Sequence, residues 1–375
     1  FCPSSMNTGA GFYFPWVSLE IYVFKLFIGR VFSISGLRMR LPGAFLLLLL
    51  SASVSAQPES IQRIAFGSCV DQDSPQPIWT HVLADEPDVF VFLGDNIYGD
   101  SDDPQVLRAK YQQQMARPAW QALFATTEVI ATWDDHDYGA NDAGKSFPFS
   151  EFAERIHEYF WGLENTGADD HPGVYYSRIV GEEGKRLQII MTDTRFFRSD
   201  LTPTPDRSVP GQERYIPSQD PEQAMLGEVQ WMWLEDQLKK PADLRLLISS
   251  IQVTPDVHGW EAWSAMPKER TRFYELLKST GADKNSVLVS GDRHTSFLYK
   301  NTAIGEAPVY ELTASSVNSA FAREAISLEK DAQQIGDGYA FTNFGMINID
   351  WDAREVELAI HKSDGEKFSQ TAFKF

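Results

Sequence analysis

Three short segments of the chain gather side chains that bind metals or move protons. They are Gly94-Asp95-Asn96-Ile97-Tyr98, Trp133-Asp134-Asp135-His136-Asp137 and Gly291-Asp292-Arg293-His294. Each closes an apolar, strand-like run, and a fourth such run leads to Cys69. Carboxylates, a phenol, imidazoles and a thiol at strand ends are the material of a two-metal hydrolytic centre. Such a set is costly to assemble otherwise, because packed carboxylates repel one another unless cations hold them.

The elements that must deliver these groups are legible from periodicity. Ile61–Phe66, Asp88–Leu93, Glu128–Thr132, Tyr175–Ile179, Leu187–Thr192, Leu244–Val253 and Val287–Ser290 read as strands. Pro77–Asp85, Pro104–Arg117, Phe149–Trp161, Gly227–Leu238 and Lys268–Ser279 read as helices, and Ser199–Gln223 as a long loop. The tail turns to strands alone: Val309–Thr313, Phe344–Asp350 and Val356–His361. Alternation of strand and helix early, with strands dominating late, predicts an α/β fold of two packed mixed β-sheets flanked by helices. Cys69, Asp95, Asp135 and Asp292 each follow the C-terminal end of a predicted strand, the edge where open α/β sheets build their sites.

The N-terminus reads as a leader. Met39-Arg40, the apolar run Leu41–Leu50 and the small residues Ser51–Ala56 form a Sec-type secretory signal, with cleavage expected after Ala56. The run is shorter than the ~20 residues that span a bilayer, and Arg38 and Arg40 are not a twin-arginine pair. Residues 1–38 are an upstream segment or a further N-terminal helix, and residues 57–375 are expected to form a single domain. Without Lys25, Arg30, Arg38, Arg40 and Glu20 the chain keeps 29 basic and 51 acidic residues, a net charge of −22. This balance disfavours nucleic acid and anionic membranes as partners and repels phosphate unless bound cations reverse the local field. Cys69 is then left without a partner in the chain. It is buried and inert, pairs between chains, or binds metal.

Each motif also has a plainer explanation. The Gly94-Asp95 and Tyr98–Asp100 stretch has turn chemistry, and Asp134–Asp142 is also compatible with a solvated or calcium-binding loop. An isolated cysteine is commonly a small core residue, and Asp292-Arg293-His294 is also compatible with an ion-paired strand end. Arg195 can simply pair with Asp193. Trp231 and Trp233 read as core, and His157, His171, His258 and His361 as structural or exposed.

Taken in order, the motifs resemble the PhoD-like alkaline phosphatases of the calcineurin-like metallophosphoesterase superfamily. The resemblance rests on Gly67-Ser68-Cys69, Leu93–Tyr98, Trp133–Gly139, Asp193-Thr194-Arg195, Leu226–Leu234 and Ser290–His294, and it runs from about residue 61 to residue 350. It implies a pair of sheets sandwiched between helices and a small phosphate ester as substrate. Asp95 would bridge two metals. Cys69, Tyr98 and His294 would serve the first, and Asp135 and Asp292 the second. His136 would protonate the leaving oxygen, and Arg195 and Asn96 would contact the substrate. The position usually held by a histidine falls near Gln252, which becomes the weakest ligand candidate.

Thiolate, phenolate and imidazole suit Fe3+ or another transition ion, and an all-oxygen site suits Ca2+; Mn2+, Mg2+ or Zn2+ are alternatives. The resemblance likewise implies iron paired with calcium. The expected chemistry is in-line attack of a metal-held hydroxide on phosphorus without a phospho-enzyme. PhoD-like proteins are often exported by the twin-arginine route, from which this leader departs. A secreted calcium-binding protein, or a degenerate fold used for interaction, is the alternative to an enzyme. No His-x-His-x-Asp-His run points to a metallo-β-lactamase. Nothing in the sequence fixes an oligomeric state or separates monoester from diester.

Overall fold

Residues 60–375, apart from 164–165 and 322–328, are described by the computed structural model. The expected leader at 39–56 and the segment before it lie outside the described residues. The first half alternates strand and helix: β1 (Arg63–Gly67), α1 (Trp79–Ala84), β2 (Val89–Leu93), α2 (Pro104–Met115), α3 (Pro118–Thr126), β3 (Glu128–Thr132), α4 (Asp135–Tyr138), α5 (Ser150–Trp161), β4 (Tyr176–Val180) and β5 (Leu187–Met191). There follow α6 (Gly227–Leu238), β6 (Leu244–Ile248), α7 (Pro267–Thr280) and β7 (Ser286–Ser290). The tail is β8 (Ser296–Asn301), β9 (Val309–Ala314), β10 (Gln334–Tyr339), β11 (Asn343–Asp350), β12 (Glu355–Lys362) and β13 (Lys367–Lys374).

The strands form two mixed sheets, six-stranded in the order β13-β12-β11-β1-β2-β3 and seven-stranded in the order β10-β8-β9-β7-β6-β5-β4. Period-2 alternation explains how each sheet is covered on both faces. Along β2, Val89, Val91 and Leu93 enter the core shared with the other sheet. Phe90 and Phe92 point the opposite way and pack with Trp79 of α1 and Trp120 of α3. In the second sheet Leu246, Ile248, Val287 and Val289 meet that shared core, while Leu247 and Leu288 pack with Trp231 of α6 and Phe273 of α7. The result is the layered sandwich the periodicity predicts.

Local signals account for the helix boundaries. Asp103 caps α2 by accepting from the Gln105 amide at 2.8 Å, with Pro104 at the first helical position. Gly281, at φ 72°, closes α7 in the left-handed conformation that glycine adopts without strain.

One expected strand is shorter than predicted. β6 ends at Ile248 rather than Val253, because the Ser249 hydroxyl donates to the Ile251 carbonyl at 2.7 Å and turns the chain. Helix α3 and strands β8, β10 and β13 are additional to the predicted elements. Ser199–Gln223 holds one isolated bridge, Pro203 to Tyr215.

Candidate metal centre

The parallel strands β1, β2 and β3 release the chain at one edge of the first sheet, and β7 does so in the second. Immediately past those ends the backbone is strained. Cys69, Asp95, Asp292 and His294 have φ of 58°, 49°, 65° and 54°, a left-handed region that non-glycine residues enter at a cost of about 1–2 kcal/mol each. Two glycines let these ends approach. A Cβ at Gly94 (φ +102°) would lie 2.4 Å from Asp134 Cβ, and one at Gly291 would lie 2.6 Å from Ser68 Oγ.

The convergence produces overlapping donor groups. Cys69, Asp95 and His294 place ligand atoms within 4.8 Å of one another, as do Asp95, Asp134, Asp135 and Asp292. Asp95 belongs to both. The Tyr98 hydroxyl stands 3.4 Å from His294 Nε2, beside the first group. His294 Nδ1 is taken up by the Ser319 carbonyl, which fixes the tautomer and leaves Nε2 as the candidate ligand atom. Cys69 is a free, buried thiol, 3.5 Å from Asp95 Oδ2 and 3.1 Å from Ser315 Oγ.

Electrostatics show what this cluster favours. Burial first, then Asp135 and Cys69, push the Asp95 carboxyl well above its ordinary range. Burial, reinforced by Glu261 and Asp135, raises Asp292 to about 7. Burial also raises the Cys69 thiol and the Tyr98 phenol. Asp135 is the exception, for although burial opposes ionisation, Arg195 and His136 together outweigh it and hold the carboxyl low. Asp95 Oδ1, Asp134 Oδ2 and Asp135 Oδ1 are buried without a hydrogen-bond partner among the described residues. Orphaned oxygens on mutually repelling carboxylates, beside a thiol and an imidazole nitrogen, fit a pair of cations.

His136 stands at the rim. Its Nδ1 meets Asp100 Oδ1 at 2.6 Å, and its ring centroid lies 4.4 Å from that of Tyr98. Burial opposes its charge, but Asp100 and Asp135 prevail and raise it to about 9. A ring nitrogen of His136 also lies within 4.8 Å of carboxylate oxygens of Asp95 and Asp135. A cavity of about 290 Å³ opens here, bordered by Tyr98, Asp135, His136, Asp292 and His294.

The structure gives three expected site residues other partners. Arg195 is fully buried: it donates to Asp134 Oδ1 through Nε at 2.6 Å and pairs with Glu261 at 2.7 Å. Its expected partner Asp193 instead accepts backbone amides of Val174, Arg195 and Phe196. Asn96 is also fully buried, and its amide nitrogen donates to the Thr132 carbonyl and to Asp137, while its Oδ1 has no partner among the described residues. Gln252 lies beyond the end of β6, where its side chain bonds Thr313 at 2.9 Å and His258 at 2.9 Å. His157 and His361 are buried, as structural histidines are.

Several neighbours of the cluster had no site role in the sequence reading. Asp134 joins the second donor group while bonding Arg195 and Ser250. Glu261 and Asp142 form a further acidic group with Asp135. Glu261 is matched by Arg195 and, at 2.9 Å, by Arg198, while Asp142 accepts from Arg214 at 2.7 Å and from Tyr215. The acidic stretch Asp134–Asp142 hinted at two of these residues, and nothing in the sequence marked Glu261.

Residues 163–360 match the family described as PhoD-like phosphatase, which is more than half of the 375-residue chain. The chain belongs to that family. No match is found among curated proteins. Among solved structures, one described as the structure of PhoD is 16% identical, with a TM-score of 0.64 over 84% of this chain and 72% of that one. A dimetal phosphatase from Danio rerio is 11% identical, with a TM-score of 0.52 over 84% of this chain and 100% of that one. Both share the fold of paired mixed sheets flanked by helices. As a PhoD-like phosphatase the chain is a metal-dependent phosphoesterase. Among the described residues no helix is long and apolar enough to cross a membrane.

Proposed function

We propose that this PhoD-like phosphatase is an exported, dinuclear hydrolase of small phosphate monoesters or diesters. In this proposal the leader Met39–Ala56 is removed and residues 57–375 form one catalytic domain. The observation that carries the reading is the sharing of Asp95 between two donor groups of different chemistry. Cys69, Tyr98 and His294 with Asp95 would hold Fe3+ or another transition ion. Asp134, Asp135 and Asp292 with Asp95 would hold Ca2+, with Mn2+, Mg2+ or Zn2+ as substitutes. When bound, the cations supply a nucleophilic oxygen at neutral pH and offset phosphoryl charge.

The protein's own residues do the remaining work. Cys69 and Asp95, fully or nearly fully buried, hold the centre from beneath and keep bulk water from its inner side. Asp100 fixes the His136 ring through Nδ1, so that the cavity-lining imidazole delivers its proton to the leaving oxygen. No side chain is required to carry the phosphoryl group.

Elemental analysis of the purified protein, paired with a panel of monoesters and diesters, tests the assignment. A transition ion together with a second cation is expected, and a preparation that is active with neither would refute it. A His136→Ala variant should keep its metals yet lose rate on esters with poor leaving groups, and unchanged rates would remove the acid role. Trapping a phosphorylated side chain during turnover would sink the direct-displacement scheme. Export assays in hosts lacking either the Sec or the twin-arginine route test the leader.

A further inference from the structure

We propose that the cavity beyond the metal ligands is a subsite for a flat, uncharged aromatic group esterified to the phosphate, an inference that rests on the phosphoesterase reading of the same site. Trp260 and Phe321 line the cavity together with Tyr98. Phe321 is 58% exposed, yet its ring stacks on the ligand candidate His294 at 4.0 Å and 16°. An aromatic surface therefore extends outward from the centre, open to a further ring.

Both described arginines of that surface, and His136, are already paired with acids. Arg214 pairs with Asp142 at 2.7 Å, Arg293 with Glu329 at 2.7 Å, and His136 with Asp100 at 2.6 Å. Among the described residues, neither arginine of this wall is left over for a second phosphate or a carboxylate of the leaving group. A cationic leaving group is disfavoured as well. The Arg214 and Arg293 guanidinium carbons already sit 5.3 and 5.7 Å from the Trp260 ring centroid, so another positive charge would meet two in place. The cavity of about 290 Å³ lies at the small end of ligand pockets, room for a single ring system beside the phosphate.

The test uses the metal-loaded protein and three phosphonates with one head group: benzylphosphonate, methylphosphonate and 2-aminoethylphosphonate, titrated by calorimetry. Benzylphosphonate is expected to bind about tenfold more tightly than methylphosphonate, from ring burial and stacking. In Trp260→Ala and Phe321→Ala that ratio should fall at least threefold. Phe321 is exposed, so its variant reports on the subsite even where the loss of Trp260 disturbs folding. A wild-type ratio near one, a ratio unmoved in Phe321→Ala, or tightest binding of the aminoethyl compound would each overturn the proposal. Turnover of benzyl phosphate and glycerol 1-phosphate separates the two levels. If neither is hydrolysed with any metal, the phosphoesterase reading fails, and the phosphonate ratio still decides the subsite. If both are hydrolysed with equal kcat/KM, only the subsite fails.

Discussion

Replacing Arg195 distinguishes a guanidinium that clamps substrate from one that holds the site's scaffold together. In the structure it is fully buried and faces three carboxylates: Asp134 at 2.5 Å, Glu261 at 2.7 Å and Asp135 at 3.9 Å. Arg195→Met fills a similar volume but leaves Asp134 with no cation in contact and Glu261 with Arg198 alone. Breaking a buried pair by removing one partner costs about 3–5 kcal/mol. A unit the length of Ser55–Phe375 gains on the order of 0.7 kcal/mol per kelvin of unfolding entropy, so the expected fall in Tm is about 4–7 °C. Arg195→Lys keeps the charge but not the fork that serves Asp134 and Glu261 together, and should fall between the two. Calorimetric unfolding of the metal-loaded protein gives the shift, and steady-state kinetics on an aryl phosphate give KM. A variant with wild-type Tm and a KM raised tenfold or more would refute the scaffold role and restore the clamp.

Other perturbations probe other parts of the structure. Asp95→Asn should lose both metals together with activity, since Asp95 joins both donor groups, and metal analysis showing one ion fully retained would argue against a shared ligand. Gly94→Ala places a Cβ 2.4 Å from that of Asp134 at a φ of +102°, so metal affinity and at least about 2 kcal/mol of stability should go, as read by urea unfolding. His157 is buried and neutral, its pKa lowered to about 3 by burial. Because the unfolded chain takes up that proton below about 6.5 and the folded chain does not, stability should drop by about 2 kcal/mol between pH 7 and pH 5. His157→Gln should flatten that slope, and an unchanged slope would show that another group carries the acid sensitivity.

The ligand-bearing edge was legible because apolar strand runs advertise their own ends, and Asp95, Asp135 and Asp292 stand just past such ends. The strands missed by periodicity are those whose alternation is diluted. Gln334–Tyr339 contains two glycines and an aspartate, and Lys367–Lys374 is an edge strand with charged ends. Gln252 was misplaced for a related reason. The apolar pattern continues through Ile251 and Val253, but the Ser249 hydroxyl bends the chain where hydrophobicity alone sees a continuing strand. Glu261 sits between Trp260 and Ala262 with no motif, and its importance comes from Arg195 and Arg198, more than sixty residues earlier.

These misses share a physical cause. Ligands must reach one point from strand ends, so their positions follow from secondary structure, which is local. The counter-charges that make a buried carboxylate cluster tolerable need only be near in space, and any loop can supply them. A basic residue in a motif next to such a cluster is therefore ambiguous in sequence: it serves the substrate if the cavity reaches it and the scaffold if burial does. For Arg195, full burial against Asp134 and Glu261 favours the scaffold. Under the proposed mechanism the phosphoryl charge would then fall to the cations and to His136. That proposal would give Asp100 a part as well, since its bond to Nδ1 would set which nitrogen of His136 faces the leaving oxygen.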